Sequence, residues 1–207
     1  MMNSRSNTSR WTGGAFCAAL FVAASVVVIS GPNEGGIHAA LAATARLAFL
    51  FFWPSYVGGA LASLFGSAFQ PIKQRAREFG LAFASVLLVH LGLVTWLCLI
   101  GSPPDVSTFV TFGVAAAFAF LLVLFSIGRL QQALGSKLWR FLRALGTNYI
   151  AYAFAIDLLK DPIHGGVGHI VKYLPFAILA IVGPMLVVAA FAKRMGNRFS
   201  TRLAGSR

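Results

Sequence analysis

Three ionisable side chains of the 207-residue sequence lie inside long apolar segments, where a charge or a polar ring is costly unless it has a partner. They are Arg46, His90 and Asp157. His90 lies in the middle of the segment 79–100, too deep for its ring to reach water. A neutral imidazole at that depth is either an axial ligand of haem iron or a hydrogen-bond partner of a neighbouring hydroxyl. The function therefore depends on what His90 faces.

Depth along the predicted helices suggests partners for these three groups. Arg46 and Asp157 each lie near the outer end of an apolar segment, and the long arginine stem can reach the headgroups. We therefore expect an ion pair between them that neutralises charge and has no catalytic role. For His90, polar side chains at a comparable depth occur on the fifth apolar segment. They are Asn148, Tyr149 and Tyr152.

No other pattern for catalysis is present in the sequence. It contains no phosphate loop, no Gly-x-Gly-x-x-Gly after a strand, no Ser/His/Asp arrangement and no Cys-x-x-Cys. Cys17 and Cys98 both fall in apolar segments, so we expect buried small apolar residues and no disulfide. The five acidic residues are too few and too scattered for a divalent-metal site.

The composition is that of a polytopic membrane protein, with 58% hydrophobic and 11% charged residues. We predict an all-α fold, a six-helix transmembrane bundle over 13–192 that lies between a tail at 1–12 and a basic tail at 193–207. The first segment is longer than a signal-peptide core and is kept as a helix. The six predicted helices are 13–30, 39–65, 79–100, 107–127, 138–159 and 173–192.

Positive charge predicts the orientation of these helices. Fourteen of the 17 basic residues fall in the N-terminal tail, the second and fourth loops and the C-terminal tail. Because cytoplasmic loops collect lysine and arginine, both termini are predicted to be cytoplasmic, in a cell membrane that is expected to be a bacterial inner membrane. The net charge of +12 is placed between apolar runs, which favours contact with anionic lipid and excludes nucleic acid. The histidines on the opposite, outer side are His38, His164 and His169.

Two helices carry features of close packing. The second contains Trp53-Pro54, where proline removes a backbone hydrogen bond, and the sixth contains Gly183-Pro184. Small residues at four-residue spacing follow Pro54, and such stripes let helices approach closely in lipid. The two stripes are Gly58, Ala62 and Gly66, and Gly59, Ser63 and Ser67.

Three short runs resemble conserved motifs of the ferric reductase-like transmembrane domain family. The runs are TARLA at 44–48, RAREFGL at 75–81 leading to LVH at 88–90, and LGSKLWRFL at 134–142. Within that family the chain is similar to the haem-binding membrane subunits of bacterial methionine sulfoxide reductase systems. The similarity covers residues 39–159.

The resemblance implies a bundle that holds haem b between its third and fifth helices and passes electrons across the membrane to a periplasmic or membrane redox partner. His90 matches the ligand on the third helix. The two ligand positions on the fifth helix fall on Arg143 and Ile156, which cannot bind iron, and the inner site would face Arg77. A remaining haem would be five-coordinate through His90 or would recruit a further side chain. The candidates for that recruitment are His38, His164, His169, Tyr149 and Tyr152.

Three functions follow from these observations. The first is a haem-dependent electron-transfer protein, a possible oxidoreductase, which would give His90 a purpose. The second is a haem-free scaffold of the same architecture that binds a partner through its outer loops or basic tail. The third is a transporter that uses Arg46, His90 and Asp157 as a polar pathway, and the lack of an internal repeat disfavours it.

Overall fold

The computed structural model describes residues 3–126, 130–160 and 167–204. Within these ranges the chain forms six long helices, one short helix and a 3₁₀ turn, with no strand. The predicted all-α fold class is therefore confirmed. The helices are α1 (Asn3–Ser30), α2 (Glu34–Phe65), α3 (Gln70–Gln74), α4 (Ala76–Leu99), α5 (Val106–Ser126), α6 (Leu130–Leu159) and α7 (Val167–Ala204).

Five helical stretches are long and apolar enough to cross a membrane, as expected for a multi-pass membrane protein. The sixth long helix, α6, has 30 residues and would reach about 45 Å at 1.5 Å per residue. It is not among the five because polar residues such as Arg140, Arg143 and Asp157 lower its hydropathy. The five stretches are Ser9–Ser30, Glu34–Gln74, Ala76–Leu99, Val106–Ser126 and Ile170–Asn197.

Several helices extend beyond the predicted apolar segments. Helix α1 begins at Asn3, ten residues before the predicted start, and α7 continues to Ala204, twelve residues beyond the predicted end. Residues of the two predicted tails thus continue the helices next to them. The difference has a simple cause, because hydropathy marks where a helix leaves the lipid and backbone hydrogen bonding decides where it ends.

Two connections between helices pair a helix-ending glycine with a capping side chain. Gly31 and Gly101 adopt φ values of +89° and +87°, a conformation that glycine reaches without steric cost. Asn33 Oδ1 then accepts the Gly36 N–H at 2.9 Å, and Asp105 Oδ2 accepts the Thr108 N–H at 2.9 Å. These side chains satisfy donors that the first turns of α2 and α5 would otherwise leave open.

The chain divides into two compact units. The first comprises Met1–Phe52 and Arg77–Phe154, and the second comprises Trp53–Ala76 and Ala155–Arg207. The division within α2 falls next to Pro54, where the helix lacks one backbone hydrogen bond. Helix α6 has a kink at Gly135, whose φ of 71° and ψ of 155° are not helical.

A basic side chain caps a helix end in the first unit. Arg77 Nε donates to Ser126 Oγ at 3.2 Å, and Arg77 Nη2 donates to the Ser126 carbonyl at 3.0 Å. This places positive charge on the carboxyl end of α5, where the helix dipole is negative. The neighbouring Glu78 has one buried carboxylate oxygen without a hydrogen-bond partner in the described ranges. Its charge lies in the first turn of α4, where the same dipole favours an anion.

The second unit uses the same device at the end of α2. Lys193 Nζ donates to the Ser63 carbonyl at 3.0 Å, and Arg194 Nη2 donates to the Gly59 carbonyl at 3.3 Å. The Ser63 carbonyl belongs to the last turn of α2, where carbonyls lack partners within the helix, so Lys193 caps this end. Arg194 contacts α2 one turn earlier. Part of the basic tail is thus engaged with the protein itself.

Glycine positions in the second unit permit close packing, as the small-residue stripes predicted. A Cβ on Gly58 would lie 3.3 Å from the Ile72 carbonyl oxygen, so this glycine receives the backbone of α3. Gly66 lies beyond the end of α2 with a φ of +82° and so terminates the helix. A Cβ on Gly183 would lie 3.2 Å from Trp53 Nε1, which donates to the Leu179 carbonyl at 2.9 Å.

Candidate functional site

His90 forms a hydrogen bond between two helices. Its Nδ1 lies 3.0 Å from the hydroxyl oxygen of Thr44, so α4 is joined to α2 at this depth. Thr44 has no exposed surface. Its hydroxyl also lies 2.9 Å from the Ala40 carbonyl and 3.1 Å from the Leu41 carbonyl of its own helix. The ring therefore has a polar partner within Ala76–Leu99, one of the stretches long and apolar enough to cross a membrane.

The proton on this contact can be assigned from donor counting. A threonine hydroxyl has one proton, and the Thr44 hydroxyl lies within reach of helix carbonyls that can only accept it. We infer that His90 carries its proton on Nδ1 and donates it to this group of oxygens. The second ring nitrogen, Nε2, is then left with a lone pair.

The side chains of α6 have other contacts. The Tyr149 hydroxyl donates to the Thr111 carbonyl at 3.4 Å, and Asn148 Nδ2 donates to the Ala144 carbonyl at 2.7 Å. Tyr152 has 57% of its surface exposed. The hydroxyl that contacts His90 thus belongs to the second helix, α2, and not to the fifth predicted helix, where the sequence predicts it. The signal in the sequence is a threonine inside an apolar segment.

Removing the Thr44 hydroxyl should destabilise the protein. In Thr44→Val, the shape is nearly kept while the His90 N–H loses an acceptor. Interhelical hydrogen bonds in membranes contribute about 0.6 kcal/mol on average, and an unsatisfied buried group costs about 1–3 kcal/mol. We expect a loss of about 1 kcal/mol in the free energy of unfolding, measured by titration of mixed micelles with sodium dodecyl sulfate.

Thr95→Val is the matched control for this substitution. Thr95 is an exposed residue of α4, and its hydroxyl donates only to the Leu91 carbonyl of the same helix at 2.9 Å. It should therefore change the free energy of unfolding by much less than Thr44→Val. Equal effects of the two substitutions would show that the contact with His90 contributes nothing.

Four phenyl rings pack together in the first compact unit, which also contains His90 and Thr44. Phe83 lies seven residues before His90 and so on the same face of α4. Its ring centroid is 5.4 Å from that of Phe52 and 6.1 Å from that of Phe154. Phe49 completes the cluster, 5.2 Å from Phe154. The rings meet at edge-on or tilted angles, the arrangement that aromatic pairs prefer, and they connect α2, α4 and α6.

These residues do not fit a haem held between α4 and α6. Such a haem needs an iron ligand and a slot between the two helices, but the rings of Phe83 and Phe154 meet between α4 and α6, and Phe83 lies seven residues before His90. Arg143, one expected ligand position, is exposed and has no lone pair for iron. No cluster of three or more histidine, cysteine or acidic residues occurs in the described part of the chain. Of the positions that the resemblance assigns to haem ligands, His90 on α4 has a nitrogen suited to iron.

The remaining candidate residues are dispersed or lie beyond what the structure describes. His38 is exposed, with its Nε2 3.8 Å from Glu34 Oε1 on the same helix. His164 lies outside the described residues, and His169 belongs to α7 without a described side chain. The Arg46–Asp157 ion pair stays a prediction, because the two residues belong to different compact units. The expected burial of the cysteines is wrong, since Cys17 and Cys98 are free thiols on exposed positions of lipid-facing helices.

No protein-family model, curated protein or solved structure matches this chain. The similarity to the ferric reductase-like family therefore rests on the three short motifs alone.

Proposed function

We propose that this chain is a haem-free polytopic membrane protein that acts as a scaffold for a partner protein. The observation that carries the proposal is the interhelical hydrogen bond between His90 and Thr44. It gives the buried imidazole a structural role, so that a metal is no longer needed to explain it. The contact of Phe83 with Phe154 supports the same conclusion, because α4 and α6 then lie close together where these two rings meet.

Exposed cations offer a surface for such a partner. In the second compact unit, on the predicted cytoplasmic side, Lys193 and Arg194 donate to carbonyls of α2. Lys73 of the same unit is exposed and takes no part in these contacts. An acidic segment of a partner would complement these charges, and such complementarity raises the rate of association.

Absorption spectra of the purified protein test the absence of haem. The protein would be expressed in cells supplied with a haem precursor, purified in detergent, and measured oxidised and dithionite-reduced. We expect no Soret band and no bound iron, and we expect His90→Ala to lower thermal stability without a spectral change. A Soret band that disappears in His90→Ala and remains in Thr95→Val would contradict the proposal.

Haem-linked electron transfer is the second candidate, and one observation favours it. The hydrogen bond through Nδ1 leaves Nε2 free, and histidines that bind metals are commonly oriented by a bond of this kind on the other nitrogen. The spectral experiment separates the two candidates, because only this one requires a His90-dependent Soret band.

A further inference from the structure

A groove runs along α1 at its contact with α2. It has a volume of about 340 Å³, within the range of small-molecule sites, and its walls are apolar apart from one cation. Gly14, Ala15 and Ala18 form its floor on α1, and Phe51 of α2 forms a wall. Arg10 and Trp11 lie at its other end. All six residues belong to the first compact unit.

The groove is ordered from polar to apolar along the membrane normal. Arg10 and Trp11 lie in the first turn of the apolar stretch Ser9–Ser30, at the level where arginine and tryptophan meet headgroups. Ala18 lies eight residues further along, about 12 Å deeper at 1.5 Å per residue. A molecule that fills the groove therefore needs a polar end at the interface and an apolar chain below it.

The polar groups at the headgroup end of the groove are available to contact a ligand. Arg10 is exposed and forms no hydrogen bond or ion pair with other described residues. The Trp11 ring packs on Phe79 at 5.8 Å, which fixes its position. Its indole N–H has no protein acceptor among the described residues. A guanidinium and an N–H donor together suit a phosphate group.

We propose that this groove binds one anionic phospholipid of the leaflet at the N-terminal end of α1. The phosphate contacts Arg10 and Trp11, and an acyl chain lies over Gly14, Ala15 and Ala18. Charge complementarity selects the occupant, because the groove offers a cation and no anion, in a chain of net charge +12.

Two adjacent glycines provide a matched test. A Cβ on Gly14 meets nothing within 4 Å, and Gly14 lines the groove, so the side chain of Gly14→Leu should occupy part of it. A Cβ on Gly13 also meets nothing within 4 Å, but Gly13 does not line the groove. Gly13→Leu therefore adds the same side chain at a neighbouring exposed position. Arg10→Gln tests the cation separately.

The experiment is native mass spectrometry of the full chain, delipidated in detergent and then supplied with phosphatidylglycerol or phosphatidylcholine. The wild type and Gly13→Leu should each retain one phosphatidylglycerol. Gly14→Leu should retain about tenfold less, a change of about 1.4 kcal/mol in binding. Arg10→Gln should lose the preference for phosphatidylglycerol over phosphatidylcholine.

Three results would overturn the proposal. Equal retention by Gly14→Leu and Gly13→Leu would show that the groove is not the site. Equal retention of the two lipids by the wild type would show that the occupant is not anionic. A change in oligomeric mass in Gly14→Leu, with lipid retention unchanged, would show that a second protein chain covers the groove.

Discussion

Replacing Gly36 by alanine should destabilise the protein by about 2 kcal/mol or more, although glycine-to-alanine changes within helices usually stabilise. Gly36 is buried in the first turn of α2, and a Cβ there would overlap the Gly31 carbonyl oxygen. The connection between α1 and α2 would have to move away. That movement would also break the hydrogen bond from the Gly36 N–H to Asn33 Oδ1, and a helix cap contributes about 1 kcal/mol.

Gly35→Ala is the control for this prediction. A Cβ on Gly35 would lie 3.5 Å from Asn33 Oδ1, an ordinary contact, so the helical preference of alanine should dominate. We expect Gly35→Ala to leave the unfolding midpoint in dodecyl sulfate unchanged or raised and Gly36→Ala to lower it. If both substitutions raised the midpoint, the loop at Gly31 would not be held against α2.

The long helices could be predicted from the sequence because apolar runs of membrane-spanning length have few alternatives in lipid. The turn at Gly31-Pro32-Asn33 was also predictable, since a proline directly after a glycine does not continue a helix. The start of α1 and the end of α7 could not be predicted, because the turns there are polar and still helical. Hydropathy does not report helicity outside the hydrocarbon.

At the candidate site the sequence indicated that His90 needs a polar partner, but it did not identify that partner. The depth of His90 required a partner, and that inference is independent of packing. The choice of partner depended on the rotation of α2 against α4, which apolar composition does not specify. The residue type of Thr44 does not by itself mark it as the partner of His90. A threonine in a helix commonly bonds to its own backbone, as Thr44 does with the Ala40 carbonyl.

The hydrogen bond between His90 and Thr44 and the phenyl cluster are consistent with the same packing of α2, α4 and α6. A bundle that held haem would keep α4 and α6 apart, with polar ligands facing the gap. Here Phe83 and Phe154 meet across that gap, and His90 directs Nδ1 to α2 instead. Where these rings meet, they make packing contacts that a gap between α4 and α6 would lose. The aromatic cluster should therefore contribute more to stability than the hydrogen bond.

Phe83→Ala tests that ranking. Phe83 is 5% exposed and contacts the rings of Phe52 and Phe154, so truncation leaves a cavity inside the first compact unit. Truncation of buried phenylalanine costs about 3–5 kcal/mol in soluble proteins. Because lipid is as apolar as the side chain, the transfer part is smaller and the cavity part remains, which gives about 3 kcal/mol.

The control for Phe83→Ala is the same truncation at an exposed phenylalanine. Phe109 is 57% exposed on α5, so lipid can replace its side chain, and Phe109→Ala should change the free energy of unfolding by less than about 1 kcal/mol. Both variants would be measured by circular dichroism during titration with sodium dodecyl sulfate. We expect Phe83→Ala to lower the midpoint more than Thr44→Val does. If Phe83→Ala resembled Phe109→Ala, the rings would not fill the space between α4 and α6, and the strongest packing argument against a haem there would fail.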